Sequence, residues 1–133
     1  MPDSAGRQHF IRPEGSPPVN GYSHAVAFSW PMVVVSGQLP VDAEGGIVGQ
    51  DDPAAQMTQV FKNLATALAA AGSSMEQVVK LTVFLTDVGD IAEFRRVRDQ
   101  YLSAEQPPAS SVIQVSALLN PAFRVEIEAL AAT

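Results

Sequence analysis

The segment PMVVVSGQL, residues 31–39, is apolar on both of its faces. Side chains alternate along a strand, so Val33 and Val35 point one way and Met32 and Val34 the other. A strand of that kind is buried on both sides. Yet the chain contains only two stretches with helical patterning. Two helices cover one face of a sheet of this size, so the second face needs a different cover.

The first helical stretch is DPAAQMTQVFKNLATALAAAG, residues 52–72. Asp52 suits the N-cap, Pro53 the first helical position and Gly72 the C-terminal cap. Met57, Val60, Phe61, Leu64, Ala67 and Leu68 recur at helical spacing and form a core-facing stripe. SSMEQ makes a short capped turn, and VVKLTVFLTD, residues 78–87, alternates as a strand. Its Val79, Leu81, Val83 and Leu85 share one face, with Lys80, Thr82, Phe84 and Thr86 on the other. The second helix spans 90–102, with Asp90 and Glu93 at capping-box spacing and Ile91, Phe94, Val97, Tyr101 and Leu102 inward.

Before the first helix, HFI at 9–11 is a short strand candidate within a polar, proline-rich segment, residues 1–20, whose tip is expected to fray. Residues 23–30 and 31–39 read as two strands of a hairpin that turns at Trp30-Pro31. VDAEGGIVGQDD is a turn-rich link, and no Gly-Lys-Ser/Thr follows Gly45 and Gly46 to make a phosphate loop. Residues 109–118 and 124–131 read as the last two strands, joined by a turn at Asn120-Pro121 and paired with each other. The order is β-β-β-α-β-α-β-β, an α+β fold with both helices on one face of a mixed sheet.

A length of 133 residues predicts a single domain, 1–133, large enough for a real core. Hydrophobic residues at 47% and charged residues at 17% are a globular balance. The absence of cysteine excludes disulfides, thiol nucleophiles and thiolate metal sites within the chain, and it fits a reducing cytosol. Nucleic-acid binding needs clustered cations, but the net charge is −6 and the one dense basic group is Arg95, Arg96 and Arg98 in RRVRD. No nucleic-acid partner is therefore expected. No signal-peptide core and no membrane-length apolar run is visible, so the expectation is a cytoplasmic protein.

The helix-free face is not cleanly polar, since Phe84, Val112 and one side of 31–39 lie on it in this reading. The economical cover is another copy of the same chain in a closed ring. Ser110, Val112 and Gln114 are expected on that face, and so are Arg124, Glu126 and Glu128. Ser111, Ile113 and Val115 with Val125, Ile127 and Ala129 would then form the helix-covered core. A glutamate on the helix-free face either meets water at the rim or lines an intersubunit cleft, where it could relay protons.

The segments GYSHAV, VVVSGQLPVD, VVKLTVFLTDVGDIAEF and PPASSVIQVSALLNPAFRVEIEALA together resemble the Rid (reactive intermediate deaminase) family, also called YjgF or L-PSP. The likeness runs from about Gly21 to Ala131. It implies a chorismate-mutase-like subunit that assembles as a homotrimeric barrel, with small-molecule clefts between adjacent subunits. Members similar to the deaminase branch hydrolyse enamines and imines to keto acids and ammonia without metal or cofactor. Carried over by motif, the resemblance implies Glu126 as the catalytic carboxylate that positions water. It implies Tyr22, Ser36, Gly37, Arg95, Ser110, Val112 and Gln114 as ligand-binding residues.

One departure stands out. The family pattern Pro-Ala-Arg-Ser reads PASS here, so Ser110 occupies the place of the arginine that grips the substrate carboxylate. A hydroxyl cannot make that bidentate, charge-assisted contact, and its loss costs about 1.5–3 kcal/mol of binding. Family branches without this arginine are not thought to share imine deaminase activity. Arg95 stands where the deaminase pattern has a neutral polar residue and could supply a guanidinium from across the interface; the alternative is a helix arginine paired with Asp99 at i+4. Otherwise the cleft takes a neutral or cationic ligand.

His24, Ser110 or Ser111, and Glu126 could be written as a nucleophilic triad, but no Gly-x-Ser-x-Gly elbow exists. Two histidines make no metal cluster. Three functions remain open: a cofactor-free enzyme that hydrolyses or tautomerises small reactive nitrogen compounds or related metabolites, a non-catalytic metabolite-binding or regulatory trimer, and an endoribonuclease. The net charge of −6 weighs against the last.

Overall fold

The computed structural model describes residues 6–29 and 31–133. The elements in chain order are β1 (Gln8–Phe10), β2 (Ala25–Ala27), β3 (Met32–Gln38), α1 (Pro53–Ala70), β4 (Val78–Leu85), α2 (Ile91–Tyr101), β5 (Ala109–Gln114) and β6 (Val125–Ala132). Short 3₁₀ turns at Met75–Gln77 and Val88–Asp90 lead into β4 and α2. This is the expected order of strands and helices, in an α+β arrangement.

Helix α1 forms where its signals predict. Asp52 accepts a hydrogen bond from the Ala55 amide at 3.1 Å, and Pro53 opens the first turn. At the other end Gly72 takes φ +80°, which lets the Ser73 and Gly72 amides reach the Leu68 and Ala69 carbonyls. Met57, Val60, Phe61, Leu64 and Leu68 are fully buried. They pack on Leu81, Val83 and Leu85 of β4 and on Val125, Ile127 and Ala129 of β6. Helix α2 closes the core with Phe94 and Val97, and Tyr101 stacks on Phe61 at 5.1 Å.

Two strand pairings differ from the sequence reading. The expected 23–30/31–39 hairpin does not form: β2 pairs with β1 in a small antiparallel sheet, and β3 pairs with β6. A tight two-residue hairpin needs positive φ at its turn, which Pro31 cannot adopt. Trp30, the other half of that expected turn, and the N-terminal tip at 1–5 lie outside the described residues.

The second difference moves a whole face. The main sheet has the order β3-β6-β4-β5, so β5 does not pair with β6 as expected but runs parallel to β4. Strand β6, long and regularly apolar on one face, takes an inner position between β3 and β4. The shorter β5 takes the edge and ends at Gln114, before the expected 118. Its register sets Ser110, Val112 and Gln114 beside Leu81, Val83 and Leu85, on the helix side. Ser111 and Ile113 lie beside Thr82 and Phe84 on the helix-free face, where Lys80 Nζ donates to Ser111 Oγ at 2.7 Å. The expected face assignment for β5 is therefore reversed, because it assumed the wrong neighbour. The assignment for β6 stands: Val125 and Ile127 are buried under the helices, and Glu126 and Glu128 are in register with Phe84 and Thr82.

Two polar links set where β6 begins. Gln56 is fully buried within α1. Its amide donates to the Gly49 and Ala122 carbonyls at 3.1 and 2.8 Å and accepts from the Arg124 amide at 2.8 Å. Asp90 does not close the expected capping box with Glu93. It makes no helix-capping bond and instead accepts Arg124 Nε and Nη2 at 2.9 and 3.0 Å. Glu93 pairs with Arg96.

Replacing Gln56 by Leu keeps the volume and orphans three backbone groups. It is expected to lower stability by roughly 2–4 kcal/mol, from about 1–3 kcal/mol for each unsatisfied buried group that cannot relax. Urea unfolding with an unchanged m-value checks this.

Candidate functional site

The reversed face of β5 builds a cleft of about 210 Å³ on the helix side, between α2, β5 and the segment around Tyr22. Its polar lining is Asn20, Tyr22, Arg95, Arg98 and Ser110. Its apolar floor is Ile91, Phe94 and Val112. Four residues expected at the site, Tyr22, Arg95, Ser110 and Val112, thus meet in one cavity.

The three arginines of α2 have separate surroundings. Arg96 pairs with Glu93. Arg98 is buried, bonded through Nε to Asp99 Oδ1 at 2.9 Å and through Nη1 and Nη2 to the Asn20 carbonyl and side-chain oxygens at 3.1 and 3.3 Å. Arg95 is exposed, and among the described residues it makes no ion pair or hydrogen bond. The alternative pairing of Arg95 with Asp99 is not formed, since Asp99 holds Arg98.

Glu126 and Gly37 form a second group, and Ser36 directly precedes Gly37 in β3. A bulge in β3 between Val35 and Gln38 brings Gly37 onto the Glu126 side chain. A Cβ at Gly37 would lie 2.3 Å from Glu126 Oε2, so glycine is what admits the carboxylate there. Glu126 is half-buried, and among the described residues no donor is bonded to it. This group sits on the helix-free face, and Ser110 lies two strands away on the opposite face. Gln114 joins neither group; its side-chain oxygen accepts the Val88 amide at 2.9 Å.

Other candidates fall away on geometry. His24 engages the Pro17 carbonyl at 2.9 Å, and the sheet separates Ser110 from Glu126, so no triad assembles. Arg124 is committed to Asp90, whose hydrogen bonds raise the guanidinium pKa above its ordinary value despite some burial. Its charge is therefore complete at every working pH and would be lost only in strong alkali. Among the described residues no group of three or more His, Asp or Glu could hold a metal ion. None of their helices is long and apolar enough to cross a membrane.

Asn20 and Arg98 line the cleft although the sequence reading did not select them. The signal for Arg98 was present: it follows Phe94 by four and precedes Tyr101 by three, which places it on the inward stripe of α2. Asn20 carried no such signal, since only the folded loop brings it to the helix.

A family model described as Endoribonuclease L-PSP matches residues 14–133. The chain belongs to the Rid/YjgF/L-PSP family. This Rid chain is 40% identical over 114 residues to Protein DfrA of Myxococcus xanthus, covering 85% of this chain and 86% of that one. It is 35% identical over 102 residues to the 2-iminobutanoate/2-iminopropanoate deaminase of Salmonella typhimurium, covering 75% and 78%. Among solved structures, the Rid family protein YyfB of Yersinia pestis superposes with a TM-score of 0.85 at 32% identity, covering 96% of this chain and 99% of that one. The likeness spans the whole sheet and both helices, so both residue groups fall within it.

The Arg124–Asp90 pair anchors the strand that carries Glu126. Asp90→Ala is expected to lower stability by about 1.5–3 kcal/mol, the range for hydrogen bonds to charged groups, since Arg124 at 33% exposure can rehydrate. A lower denaturation midpoint in urea would register it.

Proposed function

We propose that this Rid protein is a cofactor-free hydrolase of small imines and enamines that carry a carboxylate, working in clefts shared between copies of the chain in a homotrimer. The observation that carries this reading is a pair of complementary groups, uncommitted among the described residues: the guanidinium of Arg95 beside Ser110, and the carboxylate of Glu126 against Gly37. Within one chain they lie on opposite sides of the sheet. A ring of identical chains would bring the Glu126 group of one subunit to the Arg95 cleft of the next. The partly apolar helix-free face, with Val34 at 69% and Ile113 at 44% exposure, supports such a covering.

In this reading Arg95 grips the substrate carboxylate, the role that Ser110 cannot perform. Tyr22 and Ser110 offer hydroxyls to the substrate, and Ile91 and Val112 pack on its alkyl part. Glu126 takes a proton from water as the water oxygen attacks the imine carbon. Glu126 returns that proton to the nitrogen to give the carbinolamine; the hydroxyl proton then passes through Glu126 to the amine as the carbon–nitrogen bond breaks, so ammonia leaves and the keto acid remains. The deaminase names carried by the Salmonella typhimurium and Rattus norvegicus relatives support this reaction class.

One observation favours a second reading, a trimer that binds a metabolite without turnover: Ser110 stands where the deaminase pattern has its arginine. Ammonia release from 2-iminobutanoate separates the two. Turnover supports the hydrolase. A raised melting temperature with 2-oxobutanoate and no ammonia supports the binding protein.

Glu126→Gln is expected to abolish turnover with the oligomer intact. Arg95→Ala is expected to raise KM by roughly 10–100-fold, the equivalent of about 1.5–3 kcal/mol. Each variant alone is inactive or weak, but mixing them during assembly should restore activity. In a closed ring about a quarter of the clefts would combine one intact Arg95 with one intact Glu126. No recovery on mixing, with mixed rings demonstrated, would show that the two groups do not share a site.

A further inference from the structure

Tyr22 reaches the cleft from a stretch outside the regular strands and helices, and the side chain that holds that stretch has no part in the reaction above. We propose that Arg98 is the positioning residue of the cleft: its guanidinium latches Asn20 and Gly21 onto α2 and so sets where the Tyr22 ring stands relative to Arg95 and Ser110. The inference rests on the reading of this cleft as the ligand site.

Arg98 is only 6% exposed, and burial of such a charge requires partners. Asp99 supplies the counter-charge, and the Phe94 ring lies 5.8 Å from the guanidinium carbon. The two terminal nitrogens are both spent on Asn20, one on its backbone and one on its side chain. Gly21 then passes directly over the fork. It takes φ +70°, and a Cβ there would lie 2.3 Å from Arg98 Nη2. Only glycine permits that approach, so the close packing of loop on guanidinium is built into both partners.

On the far side of Tyr22 a second anchor exists. The Ser23 amide donates to the Pro108 carbonyl at 2.8 Å, and the Ser23 hydroxyl donates to Pro107. Tyr22 is therefore suspended between one tie to α2, which carries Arg95, and one tie to the start of β5, which carries Ser110. Releasing the Arg98 tie leaves the Ser23 tie and the core intact. The ring gains freedom without unfolding, which weakens binding through lost preorganisation. Neither neighbour substitutes for the latch, since Arg96 is held by Glu93 and Arg95 is exposed toward the cleft.

The test uses the full-length assembled protein with Arg98→Met, which keeps the apolar stem over Phe94, and Arg98→Lys, which keeps a donor. The chain has only two tyrosines, so fluorotyrosine labelling gives one fluorine resonance for Tyr22 and one for Tyr101. In Arg98→Met the Tyr22 resonance should move toward the position of a solvated ring, while Tyr101, stacked on Phe61, stays near its place. KM for 2-iminobutanoate should rise roughly tenfold with kcat within about twofold, the pattern of lost ground-state binding. Arg98→Lys should recover part of both effects. A lower melting temperature with resonance and KM unchanged would make Arg98 merely structural and overturn the inference. A moved resonance with unchanged KM would equally break its link to the cleft. If the parent protein does not turn over 2-iminobutanoate, the proposed reaction fails, and the latch is then decided by the Tyr22 resonance alone.

Discussion

Strand β6 can lie in only one way. Val125, Ile127, Ala129 and Ala131 are buried, and the alternation of a strand leaves Glu126 and Glu128 on the other side. A slip of one residue would drive both carboxylates into the apolar layer beneath α1, at a cost of several kcal/mol for each, comparable with the whole stability of an ordinary domain. Hydrogen-bond ladders to β3 and β4 hold the strand from both edges. Gln56 and the Asp90–Arg124 pair hold its start. The position of Glu126 against Gly37 follows from this register, since both stand on strands whose other face is sealed.

The same sheet that shelters the core also divides the polar groups. The layer between Arg95 and Glu126 is well-packed hydrocarbon, which a small ligand cannot bridge. A site that uses both groups needs a second copy of the chain, and under the proposed reading that need would explain why the helix-free face keeps apolar side chains such as Val34 and Ile113 exposed in one chain. Among the described residues each group is also accessible and uncommitted, whereas Arg96, Arg98 and Arg124 each have a carboxylate partner. In a chain of net charge −6, Arg95 is a cation that has no partner among the described residues and stands beside Tyr22 and Ser110 in a cavity.

Helix α2 shows how closely spaced residues of one type are sorted by helical geometry. Arg95, Arg96 and Arg98 fall at different angles around the axis, so one faces the cleft, one meets Glu93 on the surface, and one turns inward onto Phe94. Along the sequence they form one dense basic group; in the fold they are three separate environments.

Much of this was legible in the chain itself. The capped, striped helix α1, the alternation of β4 and β6 and the order of elements follow from local periodicity and capping chemistry, which act within a few residues. The side of the sheet on which Glu126 lies was legible for the same reason. Strand neighbours were not: β5 pairs with β4 and β2 with β1, and such choices depend on distant residues competing for the same edge. The β5 pairing placed Ser110 and Val112 on the opposite face from the one expected, because a strand's faces acquire meaning only from its partner. Asp90 likewise looked like a helix cap until the folded chain brought Arg124 to it. Sequence determined what each segment is and which of its faces is apolar, since those depend on spacing along the backbone. Tertiary structure alone decided which faces meet, and so which polar groups share a cleft, since that depends on hydrogen bonds and packing between segments far apart in the chain.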